Sequence, residues 1–317
     1  MNIDIEYDIE NEEILEFVDS FPGATFFHTP SWMNILASSF PGFTGGWITA
    51  RSRFSLTGVM PFIRIDRGPF FSIWSMPFGT YGTPLSNEAD VSLALTGKFS
   101  QIAGSVRCFD AAAFLFETDI DRKMMLSEAA VGQDECTLIR LESDFQGYRS
   151  NCLSKKKRQI CNGCEKEGVE IRLLGSKKDL SVFYDIYCTG SPGWGGVHPY
   201  PRKFFEQLFN RRDEGVLFWG AFIEGKMLGG HIDMYYKDIA QAWQAGVSEK
   251  SHSTGVASYL IYRAVEEAYK RGMKIFNLGS SGGDSGMLFF KRSMGGKEHI
   301  YPVLEVQKKW WKWLKRK

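Results

Sequence analysis

No apolar run in this 317-residue chain approaches the length of a bilayer span, so no transmembrane helix is expected. Cysteine is sparse: Cys108, Cys136, Cys152, Cys161, Cys164 and Cys188 lack the spacing of a secreted disulfide framework. The acidic, alternating opening from Met1 to Glu10 is the reverse of a basic, then apolar, secretory signal. Together these absences predict a cytoplasmic protein with reduced thiols. Any G-x-x-x-x-G-K-[ST] is also missing, which argues against ATP hydrolysis. Cys161-N-G-Cys164 has no second C-x-x-C and no histidine at zinc spacing, so packed, inert thiols are expected there and no metal site. Nor is a Ser-His-Asp or Cys-His pattern present to suggest a covalent enzyme intermediate.

What is present is unevenly distributed. The net charge of +1 conceals two opposed halves: residues 1–145 hold 9 Lys/Arg against 20 Asp/Glu, and residues 146–317 hold 29 against 17. A basic half of this kind suits a polyanion such as nucleic acid, a nucleotide or an anionic membrane; the plainer account is two solvated faces that attract each other. Apolar (44%) and charged (24%) fractions are ordinary for a globular protein, and the length favours two domains.

Periodicity predicts an α+β chain whose halves repeat one order of elements. The first half reads as a strand at Ile3–Tyr7, helices at 12–20 and from Pro30 to about Phe40, and strands at 46–51, 56–65 and 70–76. A Pro/aromatic loop (77–85), a helix (88–104) and strands at 113–116 and 136–141 follow. The second half reads as a basic helix at 145–167, a strand at 169–174, helices at 178–187 and 202–212, and strands at 216–223, 226–236 and 239–247. A long helix (256–270), a strand (274–278) and a last strand (298–306) complete it. The expected domains are 1–145 and 146–317, each a mostly antiparallel mixed sheet splayed between its central strands, with ligand entering the splay.

The richest stretch is Lys274 to Gly296, where an apolar strand breaks at Gly279 into a Gly/Ser loop and then a short segment bearing Phe290 and Lys291. Glycines let backbone approach a ligand, Asp284 is placed to cap a helix, and Lys291 would project a cation toward the loop's mouth. Asp284 is also a candidate to orient an amine or act as a base. Ser280 and Ser281 are candidates to bond a phosphate or carbonyl, or are simply loop serines. Lys155-K-K-Arg158 is a charge run, by default a solvated face, in which Lys156 and Arg158 are candidates for carrier phosphates. The tail at 306–317, with Lys308-K-W-W-K-W-L-K-R-Lys317, mixes Trp and Lys as a membrane interface requires; packing of one Trp face is the competing reading.

The duplicated order resembles the tandem GNAT-like fold. Phe27-H-T-P-S-Trp32, Pro77-F-G-T-Y-G-T-Pro84, Leu153-S-K-K-K-R-Q-Ile160 and Phe290-Lys291 before Gly295 resemble, in that order, the FemABX aminoacyltransferases that form peptidoglycan bridges. The resemblance implies acyl transfer from a carrier, an aminoacyl-tRNA, to an amine of a cell-envelope or glycan precursor, with Phe290 and Lys291 beside the transfer centre. His252-x-x-Gly255-x-Ala257 resembles the GNAT pyrophosphate signature, which makes a coenzyme A ester the alternative donor; the same residues also suit a plain helix cap. Expected substrate contacts are Trp32, Tyr81, Tyr200 and Arg202, the last three on loops of an interdomain cleft. No tightly bound cofactor is expected, and weak contact of 308–317 with the inner membrane face is. A non-catalytic RNA- or membrane-binding protein is the reading from another class. This chain departs from the family it resembles at Gly279-Ser280-Ser281, where members commonly place an Arg, and it has no room for the long coiled-coil insertion of some members.

Overall fold

The computed structural model describes residues 1–53, 55–116, 131–190, 199–248, 251 and 254–307. It divides into two compact units: residues 1–134 with 300–317, and residues 135–299.

In the first unit the chain runs β1 (Asn2–Glu6), α1 (Glu12–Ser20), α2 (Pro30–Ser39), β2 (Phe43–Arg51), β3 (Leu56–Arg67), β4 (Phe70–Ser75), α3 (Ala89–Gly104) and β5 (Cys108–Phe114). Thr29 starts α2 by accepting the Trp32 N–H, and Pro30 occupies the first turn, where a missing N–H costs nothing. Phe99, Leu95 and Val91 of α3 pack into a core with Ile48, Met60 and Ile73. β4 and β5 pair in parallel, and the other pairings of this sheet are antiparallel.

The second unit takes β6 (Val131–Arg140) from Glu135 onward. It continues with α4 (Phe145–Gly147), α5 (Lys155–Lys166), β7 (Glu170–Leu173), α6 (Lys177–Thr189), α7 (Arg202–Phe209), β8 (Val216–Ile223), β9 (Lys226–Tyr236), β10 (Ile239–Val247), α8 (Val256–Lys270), β11 (Ile275–Asn277) and α9 (Ser285–Ser293). The sheet order is β6-β11-β10-β9-β8-β7. Alternation along β8 explains the layers: Leu217, Trp219 and Ala221 join the core under α5 and α8, while Phe218 meets Phe183 of α6 and Phe209 of α7. Glu224 and Gly225, both at positive φ, form the tight β8–β9 turn.

The last strand, β12 (Lys297–Gln307), returns to the first unit and pairs with β5 from Val303/Phe114 to Gln307/Asp110. Meanwhile β6, read in the first half, pairs with β11 of the second unit. Each unit's set of strands is thus completed by a strand that chain order assigns to the other half, and the compact units depart from a simple 145/146 division for that reason.

Two further differences have local causes. The helix expected at 145–167 is broken. After α4 a π-turn spans Tyr148–Cys152, Leu153 is extended, and Ser154 restarts the helix by accepting the Lys157 N–H. Arg158 secures the break, its Nη1 donating to the carbonyls of Arg149, Ser150 and Leu153. The strand expected at 113–116 begins earlier, at Cys108, because its alanines carry little β signal of their own while burial between β4 and β12 holds them extended.

Candidate functional site

β10 and β11 stay paired for only three positions, Ile239/Ile275, Ala240/Phe276 and Gln241/Asn277. Beyond them β10 bulges at Trp243, between Ala242 and Gln244. β11 ends where the Asn277 side chain accepts the Gly279 N–H at 2.8 Å, and Gly279 turns the chain at φ +73°. The strands part around a cavity of about 890 Å³ whose walls include His231, Trp243, Ser281, Asp284, Phe290 and Lys291.

The Gly/Ser loop is tied from two sides. Lys291, only 5% exposed, donates from Nζ to the carbonyls of Gly279 (2.8 Å) and Ser280 (2.7 Å). Glu135 of β6 accepts the Ser281 N–H and, at 3.4 Å, the Ser280 hydroxyl. A buried ammonium needs such partners, since burying one without them is very costly. The Ser281 hydroxyl is buried on the cavity wall with no hydrogen-bond partner among the described residues. Leaving a hydroxyl in that state costs about 1–3 kcal/mol, which a ligand's oxygen or N–H would offset.

Asp284 caps α9, its Oδ1 accepting from the N–H groups of Gly286 (2.7 Å) and Met287 (2.9 Å). Gly255 opens α8 at φ +79°, and a Cβ there would lie 2.2 Å from Ile160 of α5, so glycine is required by conformation and by space. Ala257, the second residue of α8, is exposed and lines the cavity. Behind the cavity-lining Phe290, Lys157 donates to the Ser258 hydroxyl at 2.7 Å and lies 4.2 Å from the centre of the Phe290 ring. Desolvation lowers its pKa from the usual lysine value. Deeper in the wall, His231 of β9 adjoins Asp233, with Nδ1 and Oδ1 3.1 Å apart.

The structure therefore gathers Lys291, Phe290, Asp284, Ser280, Ser281 and Ala257 around one cavity, with Gly255 at the helix that borders it. Tyr200 stacks on Trp243, ring centroids 5.5 Å apart, and so backs the same wall. Arg202 is placed elsewhere, beside Glu206 at 3.3 Å on α7, next to a separate shallow pocket. Arg158 is occupied as the helix brace described above, and Lys156 is exposed; Lys157, not singled out from the sequence, is the member of the run that packs on the cavity-lining Phe290. Trp32 and Tyr81 lie inside the first unit. Trp32 is fully buried against Phe26 and Phe27, and Tyr81 is wedged among Phe27, Phe116 and Tyr301. His252 and the tail at 308–317 fall outside the described residues. Cys161 and Cys164 are buried free thiols, and burial pushes Cys161 up to about 12, away from thiolate chemistry.

Sequence reading missed His231, Glu135 and Trp243. For His231 a signal existed: His231 and Asp233 alternate with apolar residues on one face of a strand otherwise wholly apolar at that depth. No described helix is long and apolar enough to cross a membrane.

Comparison with known proteins bears on this geometry. Residues 150–292 match the acetyltransferase (GNAT) domain family. An uncharacterized N-acetyltransferase of Methanocaldococcus jannaschii is 25% identical over 154 residues, 44% of this chain and 64% of that protein, so the match spans less than two thirds of the relative's length. Among solved structures, FemX superposes with a TM-score of 0.68 at 10% identity, covering 94% of this chain and 96% of FemX. A tandem GNAT protein from the clavulanic acid biosynthesis pathway gives a TM-score of 0.57 at 11% identity, covering 96% of this chain and 98% of that one.

Proposed function

Taking as its premise that the chain is a tandem GNAT-fold protein of FemX-like architecture, we propose that it is an acyltransferase acting at the cavity between β10 and β11. The reaction would move an acyl group from an activated carrier to an amine. The observation that carries this reading is a strand splay holding, on one wall, a fixed cation (Lys291) and a buried hydroxyl (Ser281) without a partner among the described residues.

Acyl transfer to an amine asks for alignment of donor and acceptor, and for stabilisation of the charge that gathers on the carbonyl oxygen. Lys291 meets the second demand: its ammonium is anchored by two carbonyls and enclosed where fields are weakly screened. Ser281 is suited to orient the carbonyl or an amide of the donor. An α-amine near pKa 8 is already partly neutral at cellular pH, so a strong base is not demanded. Asp284 acts mainly as the α9 cap, its Oδ1 engaged by two N–H groups.

A coenzyme A thioester is the donor this reading favours, because the GNAT domain match covers the residues that build the cavity. An aminoacyl-tRNA, with an envelope or glycan precursor as acceptor, is the second reading, supported by the likeness to FemX and the basic second half. Titrating the full chain with acetyl-coenzyme A and with aminoacylated tRNA over a salt series separates them. Tight, salt-tolerant coenzyme binding is expected; salt-sensitive tRNA binding without it would replace the first donor by the second. Binding of neither, with no transfer to any amine, would refute the acyltransferase reading.

A further inference from the structure

His231 and Asp233, two residues apart on β9, share one face of the sheet. His231 lines the cavity at 2% exposure, and Asp233 lies behind it, wholly buried. Asp233 Oδ2 accepts the Trp219 indole N–H at 2.8 Å. Its Oδ1 lies 3.1 Å from His231 Nδ1. Read as a carboxylate facing a ring N–H, the pair makes no aligned hydrogen bond, and among the described residues both atoms are left without a partner.

At 3.1 Å the two atoms are close enough to share one proton, which either can hold, and burial of both groups decides its side. Trp219 already marks Oδ2 as an acceptor, so Oδ1 is where the acid hydrogen belongs. The Tyr235 hydroxyl, also within reach of the carboxyl, has the Ala264 carbonyl to donate to at 3.2 Å. Burial acts in the same direction, holding Asp233 well above the usual carboxylate range and pushing His231 down to about 3. A neutral imidazole whose Nδ1 accepts carries its hydrogen on Nε2, and with the Nδ1 edge turned to Asp233 the Nε2 edge is the one left for the cavity.

We propose that His231 is a hydrogen-bond donor for the reacting carbonyl oxygen and not a general base, and that Asp233 is a protonated positioning residue that fixes its tautomer. The proposal rests on the acyl-transfer reading above. The amine nitrogen bonds to the carbonyl carbon, and the C=O electron pair moves onto the oxygen held by Nε2–H. As that pair returns, the bond to the leaving sulfur or oxygen breaks, and the proton shed by the nitrogen is the one the leaving atom takes. His231 gains and loses none, as a neutral imidazole can do when its environment forbids the cation.

The test pairs two substitutions with a tautomer measurement on the full chain. Asp233→Asn imitates the protonated acid, donating to Nδ1 while accepting from Trp219, and is expected to keep kcat within a few-fold. His231→Ala is expected to lower kcat by roughly 100-fold, the usual order for loss of one oxyanion donor. Long-range ¹⁵N correlation of the imidazole, assigned by its loss in the alanine variant, is expected to show Nε2–H between about pH 6 and 8 in wild type and in Asp233→Asn. An Nδ1–H or imidazolium ring in a wild type that transfers acyl groups overturns the donor role and spares the acyl-transfer reading. So does a folded Asp233→Asn that loses activity by orders of magnitude, as an ionised, base-orienting aspartate would require. A wild type that transfers nothing overturns that reading, and the donor role with it.

Discussion

Among the described residues each unit contains one parallel strand pair, and the two pairs are treated differently. In the first unit β4 and β5 remain hydrogen-bonded from Phe71/Cys108 through Ser75/Ala113. The chain then folds back over their ends: the Gly82 N–H donates to the Phe114 carbonyl at 3.3 Å, and Tyr81 stacks on Phe116 at 4.5 Å. In the second unit β10 and β11 part after Gln241/Asn277, and a lysine, serines and a histidine line the gap. Buried histidines repeat the contrast. His28 has both ring nitrogens engaged, Nδ1 by the Thr25 N–H at 3.1 Å and Nε2 by the Thr83 carbonyl at 2.9 Å, whereas the polar neighbour of His231 among the described residues is a carboxyl. One order of elements thus gives a closed, aromatic-packed seam and an open one whose apolar walls carry a few polar side chains.

Substitutions on the two sides should separate stability from chemistry. Trp32→Ala, in the closed unit, is expected to cost about 3–5 kcal/mol by denaturant melts while leaving turnover per folded molecule unchanged; loss of donor binding well below the melting point would break the distinction. Lys291→Ala, at the open seam, should cut transfer by about 10²–10³-fold with a much smaller change in melting, and undiminished transfer would remove it from the site. His28 supplies a pH test. Burial lowers its pKa to about 4, so the unfolded chain takes up the proton first as pH falls. Stability should therefore be complete above about pH 6.5 and decline by about 3 kcal/mol toward pH 4, a slope that His28→Gln should flatten.

Smaller effects sharpen the contrast. Ala245 is exposed on the cavity wall, so Ala245→Phe should weaken donor binding about tenfold, some 1.4 kcal/mol by calorimetry, with little change in Tm. Asp284→Ala should cost about 1 kcal/mol as a lost helix cap and leave kcat nearly intact. A larger fall in kcat than in stability would give Asp284 a chemical role.

Much of this was legible in the chain because its signals are local. The Gly279–Asp284 loop, the capping role of Asp284 and the burial-worthy helix 256–270 announce themselves through glycine, Asx and apolar spacing. The break in the basic helix was not legible, since it depends on Arg158 reaching back to three carbonyls. Trp32, at the start of a helix in a family-like segment, and Tyr81, in a Pro/Gly loop, both read as substrate contacts, and only packing reveals that their rings are buried within the unit. His231 was hidden for a related reason: its meaning lies in Asp233 and Trp219 together, and Trp219 arrives from the neighbouring strand.

The return of β12 sets an order of events during synthesis. Tyr301, Val303 and Leu304 are all buried, and Leu304 belongs to the first unit's core. Once the ribosome has joined His299, everything needed for the second unit has been made, yet β5 still has an open edge. The portion translated first therefore closes last, and until β12 emerges the nascent chain carries an unpaired edge of the kind that recruits other strands.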